Sequence, residues 1–396
     1  MKWSLFRDGS TSLRTPAKTA TPRSHGYRDG RSSHRCGPGR KRRELDGAGG
    51  PGGQRILRLV LARPVSAPSV EELLESAHVV DIPLRVPFRN ITSRQTMLLR
   101  GPRGWAEFGP FGEYADTEAV TWLRSAIESG WGDPVPPVRD SIEVNATVPA
   151  VSAAEVPGIL DSFPGCTTAK VKVAQRGQGL DDDLARVSAV RDRLGPGAKV
   201  RVDANGAWDL QQARRALAAL SAYDLEYAEQ PVADVADLAR LRLALAASST
   251  DVPIAADESI RRANDPMLVA TMEAADLIVV KVAPLGGVAA ALQIVSECGL
   301  PAVVSSALDS SVGIAAGVAL ACALPTLNHA CGLGTVALFV GDVCPKPLLA
   351  TDGLLTLTDA SRATQTVDTD LLQRYLAAPS TTSWWLDRLS RCRELL

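Results

Sequence analysis

Aromatic side chains are scarce in this chain of 396 residues, at 5%, against 45% hydrophobic residues rich in alanine, leucine and valine. That balance points away from a β-sandwich and toward a helix-rich α/β protein with an aliphatic core. No apolar run is long and continuous enough to span a bilayer, and membrane insertion is not expected. The seven cysteines are an odd number without C-x-x-C spacing, so neither a zinc site nor a disulfide framework is indicated. A reducing cytosol, and hence a cytoplasmic location, is the expectation. Net charge is only −1, which gives the whole chain no electrostatic basis for binding nucleic acid.

That near-neutral average hides an asymmetry. Residues 1–50 hold 12 Lys+Arg against 4 Asp+Glu, while the rest of the chain holds 31 against 40. The first stretch is rich in Gly, Ser, Pro and Arg and has almost no apolar periodicity. It cannot bury enough surface to offset its ordering entropy, so a disordered, solvated extension is expected. It also lacks the apolar core of a signal peptide.

What is present begins with a mixed segment. Val79–Leu84, Thr96–Leu99 and Trp105–Phe108 read as short strands, and Thr117–Glu128 reads as a helix with Ala119, Trp122, Leu123 and Ile127 on one face. After Pro136–Pro137 the pattern alternates. Apolar strands are expected at Ile142–Val148, Lys170–Val173, Val200–Val202, Leu225–Ala228, Pro253–Ala256, Leu277–Val282 and Ala302–Val304, with a weak last one near Leu327–Cys331. Each of the first seven is followed by a helical pattern, such as Asp181–Leu194 or Leu210–Leu220. About eight strands, most spaced by roughly 25–30 residues, match the rhythm of an α/β (β/α)8-type, TIM-like barrel. An open doubly wound sheet would want a Gly-rich phosphate turn after its first strand, and none follows Val148. Leu354 onward, with the helical Trp384–Leu396, is expected to pack back beside the N-terminal α+β segment.

Barrel active sites assemble at the C-terminal ends of the strands. Read in order, those ends carry Lys170 and Lys172, then Asp203, Glu229, Asp257 and Lys281, with Ser305 and Ser306 last. Singly, each has an ordinary explanation: a Lys-x-Lys is commonly a solvated edge, Asp257 could cap a helix, and Glu229 could pair with Arg240. Together they stand at one depth of one barrel. Three convergent carboxylates repel one another unless a cation joins them, and Mg²⁺ takes carboxylate oxygens while keeping positions for substrate and water. A metal beside a substrate carboxylate stabilises the enediolate formed when the α-proton leaves. A lysine base needs its pKa brought from about 10.4 to roughly 7–8, a change of about 4 kcal/mol, which a metal and a second ammonium can supply. Proton abstraction α to a carboxylate, on a small-molecule carboxylate substrate, is the chemistry these residues suit.

From about Val79 to the C-terminus the chain resembles the enolase superfamily, in its muconate-lactonising-enzyme subgroup. The stretches that carry the likeness are Thr168–Val173, Val200–Asn205, Ile254–Arg261, Lys281–Gly287 and Ser305–Ser310, with Trp105–Glu107 in the N-terminal part. Within the subgroup it is similar to the actinobacterial dehydratases of menaquinone synthesis. The resemblance implies a capping domain built from both ends of the chain. The division is then a disordered basic extension over 1–55, the N-terminal part of the cap over 56–137, the barrel over 138–335, and a returning segment over 336–396.

The same resemblance implies that Asp203, Glu229 and Asp257 bind Mg²⁺, for which Mn²⁺ can substitute. Lys172 takes the α-proton and returns it to the departing hydroxyl in a syn elimination, and Lys281 is a cation on the opposite face. Lys170, Arg201 and Asn205 support the site, the Ser305–Ser306 backbone meets a substrate carboxylate, and a capping loop over Arg85–Arg94 excludes water. Relatives that racemise N-acylamino acids use the same two lysines and are the main rival. Dipeptide epimerases carry an Asp-x-Asp on strand eight, where this chain reads Leu327-Asn328-His329-Ala330-Cys331. Sugar-acid dehydratases need a histidine near strand seven; the only histidines are His25, His34, His78 and His329, the last expected to be a structural hydrogen-bonder. A non-catalytic barrel of the same fold would have little reason to keep all five charged strand ends. Oligomeric state is left open by the sequence.

Overall fold

The computed structural model describes residues 67–88, 90–262 and 265–396. The basic extension expected over 1–55 lies outside these residues. Among the described residues three sheets form. The first is an antiparallel meander of β1 (His78–Phe88), β2 (Ile91–Gly101) and β3 (Gly104–Phe108). The helix Asp116–Trp131 packs on it, and its buried Ala119, Trp122, Leu123, Ala126 and Ile127 follow the period of a helix with one apolar face. The C-terminal helix Pro379–Glu394 completes this unit. Its Trp385, Leu389 and Cys392, at i, i+4 and i+7, join Leu73, Phe108 and Trp122 in one apolar cluster. Phe108 meets Trp385 edge to face at 5.7 Å between ring centres.

The segment expected as a capping loop over Arg85–Arg94 is mostly strand. β1 continues to Phe88 and β2 starts at Ile91, with a register shift between Pro83 and Phe88 that bends the hairpin. Phe88 at its end reaches the barrel mouth.

The second sheet is parallel and curled, in the order β11-β10-β9-β8-β7-β6-β5. Its strands are β5 (Ala146–Val148), β6 (Thr168–Lys172), β7 (Lys199–Asp203), β8 (Leu225–Glu229), β9 (Ile254–Ala256), β10 (Leu277–Val280) and β11 (Ala302–Val304). Alternation separates two faces. Val171, Val202, Ala228, Ala256, Val280 and Val304 pack in the main core against the helices, whereas Tyr227, Ala255, Leu277, Val279 and Val303 form a separate cluster inside the barrel.

Two expectations differ from what is observed. The strand expected over Ile142–Val148 is broken: β4 (Ser141–Glu143) pairs antiparallel with β12 (Leu354–Thr356), and only Ala146–Val148 enters the barrel. No eighth strand forms near Leu327–Cys331. Single bridges, Val144 to Cys331 and Ser305 to Gly332, span that position instead. A short segment with prolines and glycines around it can close the ring through isolated bonds without repeating a ladder. The six cysteines among the described residues are unpaired and buried. No helix among them is long and apolar enough to cross a membrane.

Candidate active site

Register builds the site. Lys172 pairs with Asp203, and Asp203 with Glu229, along three adjacent strands. Asp257 and Lys281 follow directly on β9 and β10, and Ser305 on β11, so period-two alternation turns all of them to the barrel interior. Asp203, Glu229 and Asp257 are almost fully buried.

Each carboxylate meets an ammonium. Lys170 Nζ lies 3.0 and 2.9 Å from the two oxygens of Glu229 and 3.5 Å from Asp203 Oδ2. Lys172 Nζ donates to Asp203 Oδ2 at 2.5 Å and to Asn205 Oδ1 at 2.8 Å, and stands 5.4 Å from the Phe88 ring centre. Lys281 Nζ donates to Asp257 Oδ2, whose other oxygen takes Arg261 Nε at 3.2 Å. Asp257 makes no side-chain cap, and Arg240 pairs with Asp237, so the ordinary explanations for Asp257 and Glu229 are excluded.

The electrostatics are divided. Burial, then the charges of Asp203 and Asp257, push Glu229 up to about 7 against the pull of Lys170. Burial also opposes ionisation of Asp203, yet Lys172 and Lys170 outweigh it and hold that carboxyl well below the usual range. Asp257 is brought down to about 2, because Lys281 and Arg261 overcome its burial. Burial works against Lys170 as well, but Glu229 and Asp203 raise it. Lys281 is lowered by burial, Asp257 opposing and Arg261 adding to the shift.

The mouth cavity is small, about 30 Å³, and is lined by Phe88, Lys172, Asn205, Ser306, Leu308 and Thr335 among others. Asn205 stands in the left-handed region at φ 48°, with its N–H on Asp203 Oδ1 and its amide donating to Glu258 Oε1. Ser305 and Ser306 line the mouth, but their backbone N–H groups donate to the carbonyls of Val280 and Gly332. The Ser305 N–H thus extends the β10–β11 ladder and the Ser306 N–H reaches the segment that closes the ring, so both donors have backbone partners. Ser306 Oγ donates to the Gly332 carbonyl at 2.9 Å and lies 2.9 Å from Thr335 Oγ1. Arg201 sits one layer deeper, bonded to Glu226 at 2.5 Å, to Asn145 and to the Ala330 carbonyl, over the Tyr227 ring. It supports the barrel floor and contacts none of the three carboxylates. His329 Nδ1 lies 2.9 Å from Glu226 in the same layer, in keeping with a structural part.

An enolase C-terminal domain-like family profile matches residues 162–361, and an enolase N-terminal domain-like profile matches 79–130. The o-succinylbenzoate synthase of Mycobacterium tuberculosis H37Rv is 52% identical over 330 residues, covering 83% of this chain and 97% of that protein. That of Mycolicibacterium smegmatis is 51% identical over 331 residues, covering 83% and 98%. The chain belongs to the o-succinylbenzoate synthase family of the enolase superfamily. Two solved structures share the barrel-and-cap fold. Muconate lactonizing enzyme from Pseudomonas fluorescens matches with TM-score 0.64 at 23% identity, over 76% of this chain and 98% of that one. An N-succinyl Arg/Lys racemase from Bacillus cereus matches with TM-score 0.64 at 20% identity, over 76% and 97%.

Enzymes of this superfamily generally use a divalent metal, and the donor chemistry here fits one. Three buried carboxylates on adjacent strands offer only hard oxygens, the donor type that a divalent cation such as Mg²⁺ takes. Among the described residues no three acidic, histidine or cysteine side chains close on a common point, since each carboxylate is turned onto a lysine.

Sequence reasoning assigned no part to Arg261 or Gln230. Arg261, one helical turn past Asp257, also reaches Glu258 at 2.5 Å and the Tyr114 hydroxyl at 2.9 Å, tying the cap to the site. The i, i+4 spacing from Asp257 was a usable signal. Gln230 Oε1 accepts from the N–H groups of Asp257 and Ser259, orienting the turn that carries Asp257. Nothing local in the sequence marks that.

Proposed function

We propose that this enzyme is a hydro-lyase of menaquinone synthesis, eliminating water from 2-succinyl-6-hydroxy-2,4-cyclohexadiene-1-carboxylate to give 2-succinylbenzoate. The relation to synthases that match it over nearly their whole length supports the reaction. One geometric observation carries the mechanism: Lys172 ends β6 and Lys281 directly follows β10, with the three carboxylate strands between them, and each contacts a different carboxylate.

Lys172 serves as base and then as acid. It is the less buried of the two and touches the mouth cavity beside Phe88 and Asn205. The neutral amine of one lysine can take the α-proton and, as the ammonium so formed, protonate the departing hydroxyl on the same face, which makes the elimination syn. Lys281 faces the other side of the substrate as a cation for the enediolate charge. Asp203, Glu229 and Asp257 would hold Mg²⁺, or Mn²⁺ in its place, with Lys170 setting the charge balance around Glu229. When bound, the cation supplies electrostatic stabilisation of charge developing on the substrate carboxylate. Phe88 and the hairpin behind it exclude water, while Ser305 and Ser306 form part of the wall against the substrate.

Lys172→Ala tests the assignment in the purified enzyme. Dehydration should fall to background while the circular dichroism spectrum is kept; normal turnover by this variant would overturn the base. A second reading, racemisation of N-succinylamino acids, is favoured by the lysine on each face. Incubating such amino acids in deuterated water reads α-proton exchange directly. Fast exchange without dehydratase activity would replace the preferred reaction with the racemase.

A further inference from the structure

Away from the reacting groups, a second set of charges is buried where the cap meets the barrel. Arg94 on β2, Glu107 on β3, and Asp309 and Ser310 after β11 are all nearly inaccessible. Burying such groups is costly unless every one is bonded. Arg94 Nε donates to the Leu308 carbonyl at 3.0 Å, its Nη1 to the Gln95 carbonyl at 2.8 Å, and its Nη2 to the Gly109 carbonyl. Its guanidinium lies 4.3 Å from the Phe111 ring centre. Glu107 Oε2 accepts from Ser310 N–H at 3.0 Å, Ser310 Oγ at 2.5 Å and Gly313 N–H at 3.0 Å, and Oε1 accepts from Thr96 Oγ1 at 2.9 Å.

These bonds bracket a strained turn. Leu308 takes φ 63°, a region costly for a residue with a Cβ, and Asp309 Oδ2 accepts the Ala307 N–H at 3.0 Å. Such a conformation persists only where its surroundings determine it from several sides. Here the cap holds the turn from both ends, through Leu308 and through Ser310. The approach is close enough to require glycine at 313, since a Cβ there would lie 2.7 Å from both Asp309 Cβ and Glu107 Oε2.

Ser305 to Leu308 form one wall of the barrel mouth, and neither Arg94 nor Glu107 lines that cavity, although Glu107 and Asp309 border a larger neighbouring cavity of about 790 Å³ that also reaches Lys281 and Ser305. We propose that Arg94 and Glu107 are positioning residues for this reaction: the cap sets the shape of the substrate-facing wall through them, in addition to covering the mouth. The inference rests on the barrel mouth being the reaction site. Apolar contacts would hold the cap in place without fixing the direction of the turn, because only the hydrogen bonds are directional. A substrate bound against a misplaced wall loses affinity first, with the lysine chemistry intact.

The full-length, Mg²⁺-loaded enzyme is assayed on the cyclohexadiene carboxylate. Glu107→Ala should raise KM by about tenfold while kcat stays within about threefold. Glu107→Gln should return KM to within about threefold of the parent, because its amide oxygen still accepts from the turn and its NH2 can donate to Thr96. A KM within about twofold of the parent in Glu107→Ala, or a fall in kcat alone that follows the folded fraction, overturns the inference. Should Glu107→Ala not fold, Ser310→Ala, which removes the hydroxyl that donates to Glu107 and caps the Val312 N–H but keeps the Ser310 backbone donor, decides it. A KM rise of about threefold supports the positioning role and an unchanged KM overturns it. Loss of activity in Lys172→Ala with unchanged KM in Glu107→Ala defeats the positioning role alone. Normal turnover in Lys172→Ala would instead remove the reaction site on which it rests.

Discussion

Two regions of this molecule bury charge to a similar depth and resolve it differently. At the barrel mouth, Asp203, Glu229 and Asp257 are answered by Lys170, Lys172, Lys281 and Arg261, all long side chains with rotatable stems. At the cap contact, Glu107 is answered by backbone N–H groups of Ser310 and Gly313 and by two hydroxyls, while Arg94 is answered by three carbonyls. Side-chain partners can swing away and let a cation or a substrate take their place. Backbone partners cannot move without moving the fold. The first arrangement suits chemistry and the second suits alignment.

The sharpest way to break this comparison is at the mouth. Lys172→Ala should lower kcat by about 10³-fold or more, the range for loss of a general acid–base group, with little change in thermal stability. A large loss of stability instead would make Lys172 a structural counter-ion like those at the cap. Metal removal comes next: a chelator should lower turnover by on the order of 100-fold, and added Mg²⁺ should restore it. Persistent activity after exhaustive chelation would mean that the lysines alone balance the three carboxylates.

The cap can be probed through its packing. Trp385→Ala removes the ring that meets Phe108 and should cost about 3–5 kcal/mol in chemical denaturation. A cost below about 1 kcal/mol would show that the C-terminal helix adds little to the cap.

The smallest effect concerns pH. Burial, then Asp309, raise Glu107 from 4.5 to about 7, against Arg94 and the hydrogen bonds from Ser310 and Thr96. Below about 4.5 both folded and unfolded chains carry the proton, so this group adds no slope. Between about 4.5 and 7 the unfolded chain ionises first, and stability falls as pH rises; above 7 the effect is constant. Asp309, also raised chiefly by burial, contributes with the same sign. Relative to Glu107→Gln, the parent should therefore lose on the order of 3 kcal/mol across this window. A gap that stays flat, or widens in the parent's favour, would contradict the burial argument.

Much of the architecture was legible because it is written in local alternation. Strands such as Thr168–Lys172 and Lys199–Asp203 put apolar side chains outward and charged ones inward every second residue, and helices such as Leu210–Leu220 carry their own caps at Asp209 and Gln212. The break in Ile142–Val148 was not legible, because Ser141–Glu143 is drawn to a partner strand more than two hundred residues away. The missing eighth strand and the partner of the Ser306 N–H have one cause: ring closure uses single bonds to Cys331 and Gly332 that no local pattern encodes.

The sequence by itself determined the order of charges along the strand ends, from Lys170 and Lys172 through Asp203, Glu229 and Asp257 to Lys281, because a strand's period of two assigns each side chain a face without help from the rest of the chain. Tertiary structure alone decided that Arg201 lies beneath the site and not in it, that Arg261 reaches the site and the cap at once, and that Arg94 grips a carbonyl 214 residues away. Those contacts join segments whose distance along the chain says nothing of their distance in space. Only the closed barrel and its docked cap bring them within hydrogen-bonding reach.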